Sequence, residues 1–338
     1  MIKETLSVGK VKNSILSSLL LKYKTDDKRL IIGPQIGEDA AAIEMGDMVL
    51  VVSTDPITFA TDKIGYYTVV INMNDVVTMG AIPKWFSITL LLPEKQTNTK
   101  LVDSIFSDVY ITCKNYNIAL IGGHSEITYG LDRVITVGQM IGEVKREKLI
   151  SSSGAKPGDI LFLTKVIPIE GVAVIAKEKK DLLLKKGVSL PVIKKASKYI
   201  YNPGISVAKE AIIANETAKI TSMHDPTEGG ISTGLYELAS ASNVNIIVDI
   251  EKIPMLPEAK ILCEPFKINP FGLLASGSLL ITTSAKNESA IINRFSKEKI
   301  LITPIGKIVE GDGKVIAITK KGAIPFPKFE RDEITKLF

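Results

Sequence analysis

Cysteine is nearly absent from this chain: 338 residues hold two, Cys113 and Cys263. They are too few and too distant for a disulfide framework or a zinc spacing, and their scarcity predicts a reducing, cytoplasmic setting. Aromatics make up only 6% of the residues, which removes the ring platforms that single-stranded nucleic acid stacks on. Long apolar runs are missing too. Residues 15–21 form a short periodic patch, read as an amphipathic helix rather than a signal peptide or membrane span. The net charge of +5 is small for this length, and lysines are interleaved with glutamates, so no basic stripe for nucleic acid emerges. The chain carries no Walker pattern, no G-x-G-x-x-G and no nucleophile elbow. Histidine occurs twice, as His124 and His224, and each stands near a Gly-Gly pair.

What is present is enough apolar residue, 45%, to bury the cores of two ordinary domains. The clearest boundary is SSSGAKPGD at residues 151–159, which predicts domains at 1–150 and 151–338. The most informative stretch is IGYYTVVINMNDVVTMGAIP, residues 64–83. Val70, Ile71, Val77 and Met79 recur as one buried helical face does, and Gly80 and Pro83 supply a stop. Yet Asn72, Asn74 and Asp75 interrupt that face. Short polar side chains compete for backbone hydrogen bonds inside helices, and a buried carboxylate needs a partner. A network of structural hydrogen bonds is one reading of them. The other is that Asn74 and Asp75 point at a cation or polar ligand.

Two more acids sit where apolar elements stop. Asp39 lies in the loop GEDAA, and Asp55 follows the β-branched run at residues 48–53, read as a buried strand. Such positions suit oxygen coordination of a hard cation, although a single Asp there is more often a turn or cap residue. Residues 85–92 and 118–121 read as strands, the second ending in Gly122-Gly123-His124-Ser125-Glu126, where paired glycines let a phosphate or sugar approach the backbone. Residues 177–198 read as a solvated charged helical stretch, and 203–215 as a helix burying Ile205, Ala208, Ile212 and Ile213. Then His224-Asp225-Pro226-Thr227-Glu228-Gly229-Gly230 joins a strand to a helix. The free N–H groups and positive end of a helix make that turn an oxyanion or phosphate cradle. An N-cap by Thr227 is the plainer alternative.

Together, GEDAA, Ser53-Thr54-Asp55, NDVVTMGAIP, Gly122-Gly123-His124-Ser125, Gly158-Asp159 with the strand to Lys165, and MHDPTEGG resemble the aminoimidazole ribonucleotide synthase (PurM) superfamily. Hydrogenase-maturation factors of the HypE type, thiamine-monophosphate kinases and selenophosphate synthetases are members, and the HypE pattern is the most similar. The resemblance runs over nearly the whole chain. It implies an α/β (α+β) fold of two domains, the first pairing across a homodimer so that strands of both subunits close a barrel, the second a C-terminal α/β domain. It implies ATP in the groove between them, held through Mg²⁺. Asp39, Asp55 and Asp75 would be metal ligands with Asn74 in support. Gly122 and Gly123 would line the phosphates, and Thr227, Gly229 and Gly230 would bound the nucleotide from the second domain. His124, Glu126 and Asp225 would be the catalytic candidates. The implied activity is phosphoryl transfer to a substrate oxygen, on a small molecule or a protein thiol adduct. A small-molecule kinase and a nucleotide-binding scaffold without turnover are the alternatives. HypE-type proteins end in a cysteine, whereas this chain ends RDEITKLF with none after Cys263, so that chemistry would need an external thiol.

Overall fold

The computed structural model describes residues 6, 9–11, 13–58 and 62–337. Its first half contains α1 (Asn13–Lys22), β1 (Leu30–Ile32), β2 (Ala41–Met45), β3 (Met48–Ile57), α2 (Ile64–Thr78), β4 (Ile82–Pro93), α3 (Thr99–Asn115), β5 (Ala119–Thr128) and β6 (Ile135–Lys145). The strands form one six-stranded sheet in the order β1-β2-β3-β6-β4-β5. All pairs are antiparallel except β4 with β5.

The second half follows with β7 (Asp159–Thr164), α4 (Ile169–Glu178), α5 (Lys180–Lys185), α6 (Leu190–Ala196), α7 (Ala208–Thr217), β8 (Ile220–His224), α8 (Gly230–Ala241) and β9 (Val244–Asp249). It ends with α9 (Pro257–Cys263), β10 (Leu280–Ser284), α10 (Glu288–Lys297), β11 (Ile302–Glu310), β12 (Val315–Thr319) and β13 (Gly322–Pro325). These strands make a seven-stranded sheet, β13-β12-β9-β11-β7-β10-β8, in which only β12 and β9 run parallel. The fold is mixed α/β, as expected.

Helix α2 organises the first half. Every one of its residues except Tyr66 is buried, as a helix apolar on all sides must be. It lies against β3, β4 and β6, with α3 beside it and α7 of the second half across it. Val69, Val70, Met73, Val76 and Val77 are at most 1% exposed. At roughly 2 kcal/mol each they contribute on the order of 10 kcal/mol gross, enough to carry three polar residues in the same helix. Gly80, with φ +77, ends it as the sequence requires.

Some expectations need correction. The strand at β3 does not stop at Thr54 but continues through Asp55 and Pro56, paired with β6. Its pairing with β2 ends at Val52, so Pro56 falls where one side of the strand has no ladder to disturb. Residues 118–121 were expected as a short buried strand ended by a glycine turn. Instead β5 runs straight through both glycines to Thr128 at the edge of the sheet, and residues 119–127 are exposed. A Cβ on Gly123 would stand 1.8 Å from the Ile88 carbonyl oxygen, so that glycine is demanded by the close approach of β4. The charged stretch after Lys177 is two short helices, α5 and α6, parted around Gly187. Helix α7 starts at Ala208, after a turn over Ile200–Gly204, and buries Ala208, Ala211, Ile213 and Ala214 while Ile212 is exposed.

Candidate functional site

Four aspartates come from four separate elements. Asp39 sits in the loop before β2, Asp55 in β3, Asp75 in α2 and Asp225 just after β8. Asp75 is 6% exposed and Asp225 is 2% exposed. Burial raises the Asp75 carboxyl well above the usual range, with the charges of Asp55, Asp225 and Asp39 adding and a short hydrogen bond from Ser53 opposing. Asp225 is raised in the same way, by burial and then by Asp39, against the charge of His224. The Asp55 carboxyl is pushed up to about 6 by burial, with Lys10 working the other way and Asp39 and Glu228 adding to the rise. The four acids therefore share one field.

Helix α2 positions two of them. The Asn72 amide grips the backbone of Asp55 from both sides: its Oδ1 accepts from the Asp55 N–H at 2.7 Å, and its Nδ2 donates to the Asp55 carbonyl at 3.2 Å. The location of Asp55 relative to Asp75 is thus set within a single helix. Asn74 is used differently. Its Nδ2 donates to the Ile205 carbonyl at 2.9 Å and its Oδ1 accepts from the Val207 N–H at 3.0 Å. Both bonds reach into the second half of the chain, so Asn74 ties the halves together beside Asp75.

The sequence marks His224 only by its glycine neighbours, but it is a central piece of the site. Its Nδ1 lies 3.1 Å from Asp39 and its Nε2 3.2 Å from Glu237. Burial disfavours its charge, but the two carboxylates outweigh that and raise it well above the ordinary histidine value. A cationic imidazole thus bridges the loop of Asp39 to α8. Ser152 also donates to Asp39, at 3.2 Å. The neighbouring Glu38 instead caps a turn, accepting from Ser151, Ser152 and Ser153. A further acid that sequence reading missed is Glu170 at the start of α4. It is buried, and that burial pushes its carboxyl up to about 7, with Asp332 and Glu228 adding and Ser276 opposing.

The turn after β8, expected as an anion cradle, has its Gly230 N–H bonded to the Thr227 carbonyl at 3.1 Å. Gly229 and Gly230 both have positive φ, and α8 starts without a side-chain cap, so Thr227 does not cap it. The Gly229 N–H is taken by Asp332 at 2.7 Å. His124 and Glu126 stand on exposed β5, 3.5 Å apart, with the His124 side chain 67% exposed. Among the described residues, neither they nor Gly122 and Gly123 are bonded to the four aspartates.

A hard, oxygen-seeking cation fits this set. The four groups are carboxylates, the donor type such a cation takes, and Asp225 Oδ2 is buried with no hydrogen-bond partner. Among the described residues, no group of three or more His, Cys, Asp or Glu side chains is arranged to hold a metal ion.

The fold and site define a two-sheet α/β protein whose halves meet around a partly buried set of aspartates. Residues 37–144 match the family described as AIR synthase related protein, N-terminal domain, and residues 156–318 its C-terminal domain. The chain belongs to the AIR synthase related family. It is 29% identical to a thiamine-monophosphate kinase of Pyrococcus horikoshii, over 83% of this chain and 85% of that protein. It is 25% identical to the carbamoyl dehydratase HypE of Cupriavidus necator, over 83% of this chain and 77% of that one. A solved structure of the hydrogenase maturation protein HypE in complex with ATP shares the fold. Its TM-score is 0.67 at 20% identity, covering 97% of this chain and 98% of that one. No helix among the described residues is long and apolar enough to cross a membrane.

Proposed function

We propose that the chain is a cytoplasmic, homodimeric enzyme that uses ATP and Mg²⁺ to transfer a phosphoryl group to a substrate oxygen. The observation that carries this reading is the orphaned Asp225 oxygen beside the raised carboxyls of Asp55 and Asp75. Asp39, Asp55, Asp75 and Asp225 would hold Mg²⁺, which supplies neutralisation of the phosphate charge when bound. The relatives support the nucleotide: one is a kinase, and the shared fold has been solved with ATP.

The chain's own residues position and bind. The Gly229 and Gly230 N–H groups are bonded to Asp332 and to the Thr227 carbonyl, so this turn would receive phosphate oxygens only by giving up those bonds. His224 holds Asp39 in place, and Asn72 holds Asp55. Glu170, whose carboxyl burial pushes up to about 7, would take the proton where the acceptor is an amide, whereas an ionised phosphate acceptor has none to give up. With domains at 1–150 and 151–338, Asp39, Asp55 and Asp75 would come from the first and Asp225 from the second. The exposed β5, carrying Gly122, Gly123, His124 and Glu126, would meet a second copy of the chain and bring those residues into play there.

A HypE-like reaction, on a carbamoyl group carried by an external thiol, and a kinase acting on a small phosphorylated molecule both use this arrangement. The Pyrococcus relative favours the second. ADP formation by purified protein with Mg²⁺, with and without thiamine monophosphate, separates them. Asp75→Asn should abolish turnover at least a hundredfold while the protein remains folded. Undiminished turnover in that variant would overturn the reading.

A further inference from the structure

A groove of about 580 Å³, lined by none of the four aspartates, lies where Tyr66 and Tyr116 of the first half face Lys165, Tyr201, Lys209 and Lys299 of the second. That volume is in the range of small-ligand sites. Its apolar side is aromatic. The Tyr66 and Tyr201 rings lie 5.2 Å apart at 54°, and the Tyr66 hydroxyl is fixed by donating to the Ile200 carbonyl at 2.9 Å. Tyr201 is 51% exposed, so its ring lies bare at the mouth.

The charges are unequal. Lys165 is spent, donating to Gly204 and Ser206 carbonyls and paired with Glu210 at 3.1 Å. Lys209 pairs with Glu298 at 3.1 Å. Lys299, in a left-handed backbone conformation with φ +57, has an ammonium without hydrogen bond or ion pair among the described residues. The acids nearest the Tyr201 hydroxyl, Asp62 and Asp108, are already paired with Lys177 and Lys63. One positive charge is left over beside uncovered rings.

The wall of the groove is the segment that Asn74 grips. Lys165 bonds the carbonyls of Gly204 and Ser206, while Asn74 bonds Ile205 and Val207. Whatever fills the groove braces the backbone next to the helix of Asp75.

We propose that this groove is a second binding site, for a small planar aromatic molecule bearing a single carboxylate, and that its occupation stiffens residues 200–207. The ring would stack on Tyr201 and Tyr66 and the carboxylate would pair with Lys299. The site needs no turnover, so its test is independent of the enzymatic reading above. Isothermal titration of the full chain with 2-naphthoate should show binding. The neutral 2-naphthamide should bind at least tenfold more weakly, and Lys299→Glu and Tyr201→Ala should each weaken naphthoate tenfold or more. Asp75→Asn should bind naphthoate unchanged. Hydrogen exchange at residues 200–207 should slow on binding. The proposal fails if naphthoate does not bind at millimolar concentration, if the amide binds as well as the acid, or if folded Lys299→Glu binds like the parent. Displacement of naphthoate by ATP in a one-to-one competition would also overturn it, by placing the ring at the aspartates.

Discussion

Asn74→Ala tests the joint between the two halves. The substitution removes hydrogen bonds of 2.9 and 3.0 Å, and leaves the Ile205 carbonyl and Val207 N–H without the partner they now have. Both residues are fully buried, so water cannot take over. At 1–3 kcal/mol for each orphaned group, the cost is about 4 kcal/mol. For a chain of this size one kcal/mol moves Tm by roughly 2 °C, so thermal unfolding should fall by about 8 °C. Asn74→Asp keeps an acceptor for Val207 but loses the donor and sets a new charge beside Asp75, so it should destabilise at least as much at pH 8. Differential scanning calorimetry with parallel urea titrations reads both. A Tm within about 2 °C of the parent, with nucleotide affinity lost, would refute the reasoning and make Asn74 a ligand group rather than a clamp.

Glu170→Gln addresses pH. The unfolded chain releases this proton near 4.5 and the folded one near 7, so native stability falls as pH climbs between them. Glutamine cannot ionise, and the variant should gain up to about 3 kcal/mol at pH 8 and much less at pH 5. Equal gains in urea titrations at both pH values would contradict the assignment. His224→Leu removes the cation between Asp39 and Glu237 and should cost about 3 kcal/mol in the same assay, because two carboxylates lose their partner. Gly123→Ala forces a methyl against the Ile88 carbonyl, and hydrogen exchange should report fraying of β4 from β5 around that point.

Much of this was legible in the sequence. The interrupted apolar run at residues 64–83 announced a buried helix with a polar purpose, because three side chains that burial penalises would not otherwise be there. Asp39 and Asp55 stood out as acids beside apolar runs, although Asp55 lies inside β3 rather than at its end. What each did was not legible. Asn74 was expected to support a ligand, but its bonds go to residues 131 and 133 positions away, a distance no local pattern encodes. His224 gave a signal, its rarity, without showing that two carboxylates would meet its two nitrogens. The glycines of β5 misled, since Gly-Gly after an apolar run has the composition of a turn, and the close approach of β4 that requires Gly123 is a property of the sheet. The strands β2, β12 and β13 are short enough that their alternation hardly registers.

Helix α2 performs three tasks on one cylinder: Asn72 fixes a strand, Asn74 fastens the other half, and Asp75 reaches the acids. A single residue inserted or deleted ahead of them would rotate the whole set by about 100°, turning every one of these groups away from its target at once. The number of residues ahead of Asn72 in this helix is therefore set by geometry as firmly as their identity is set by chemistry.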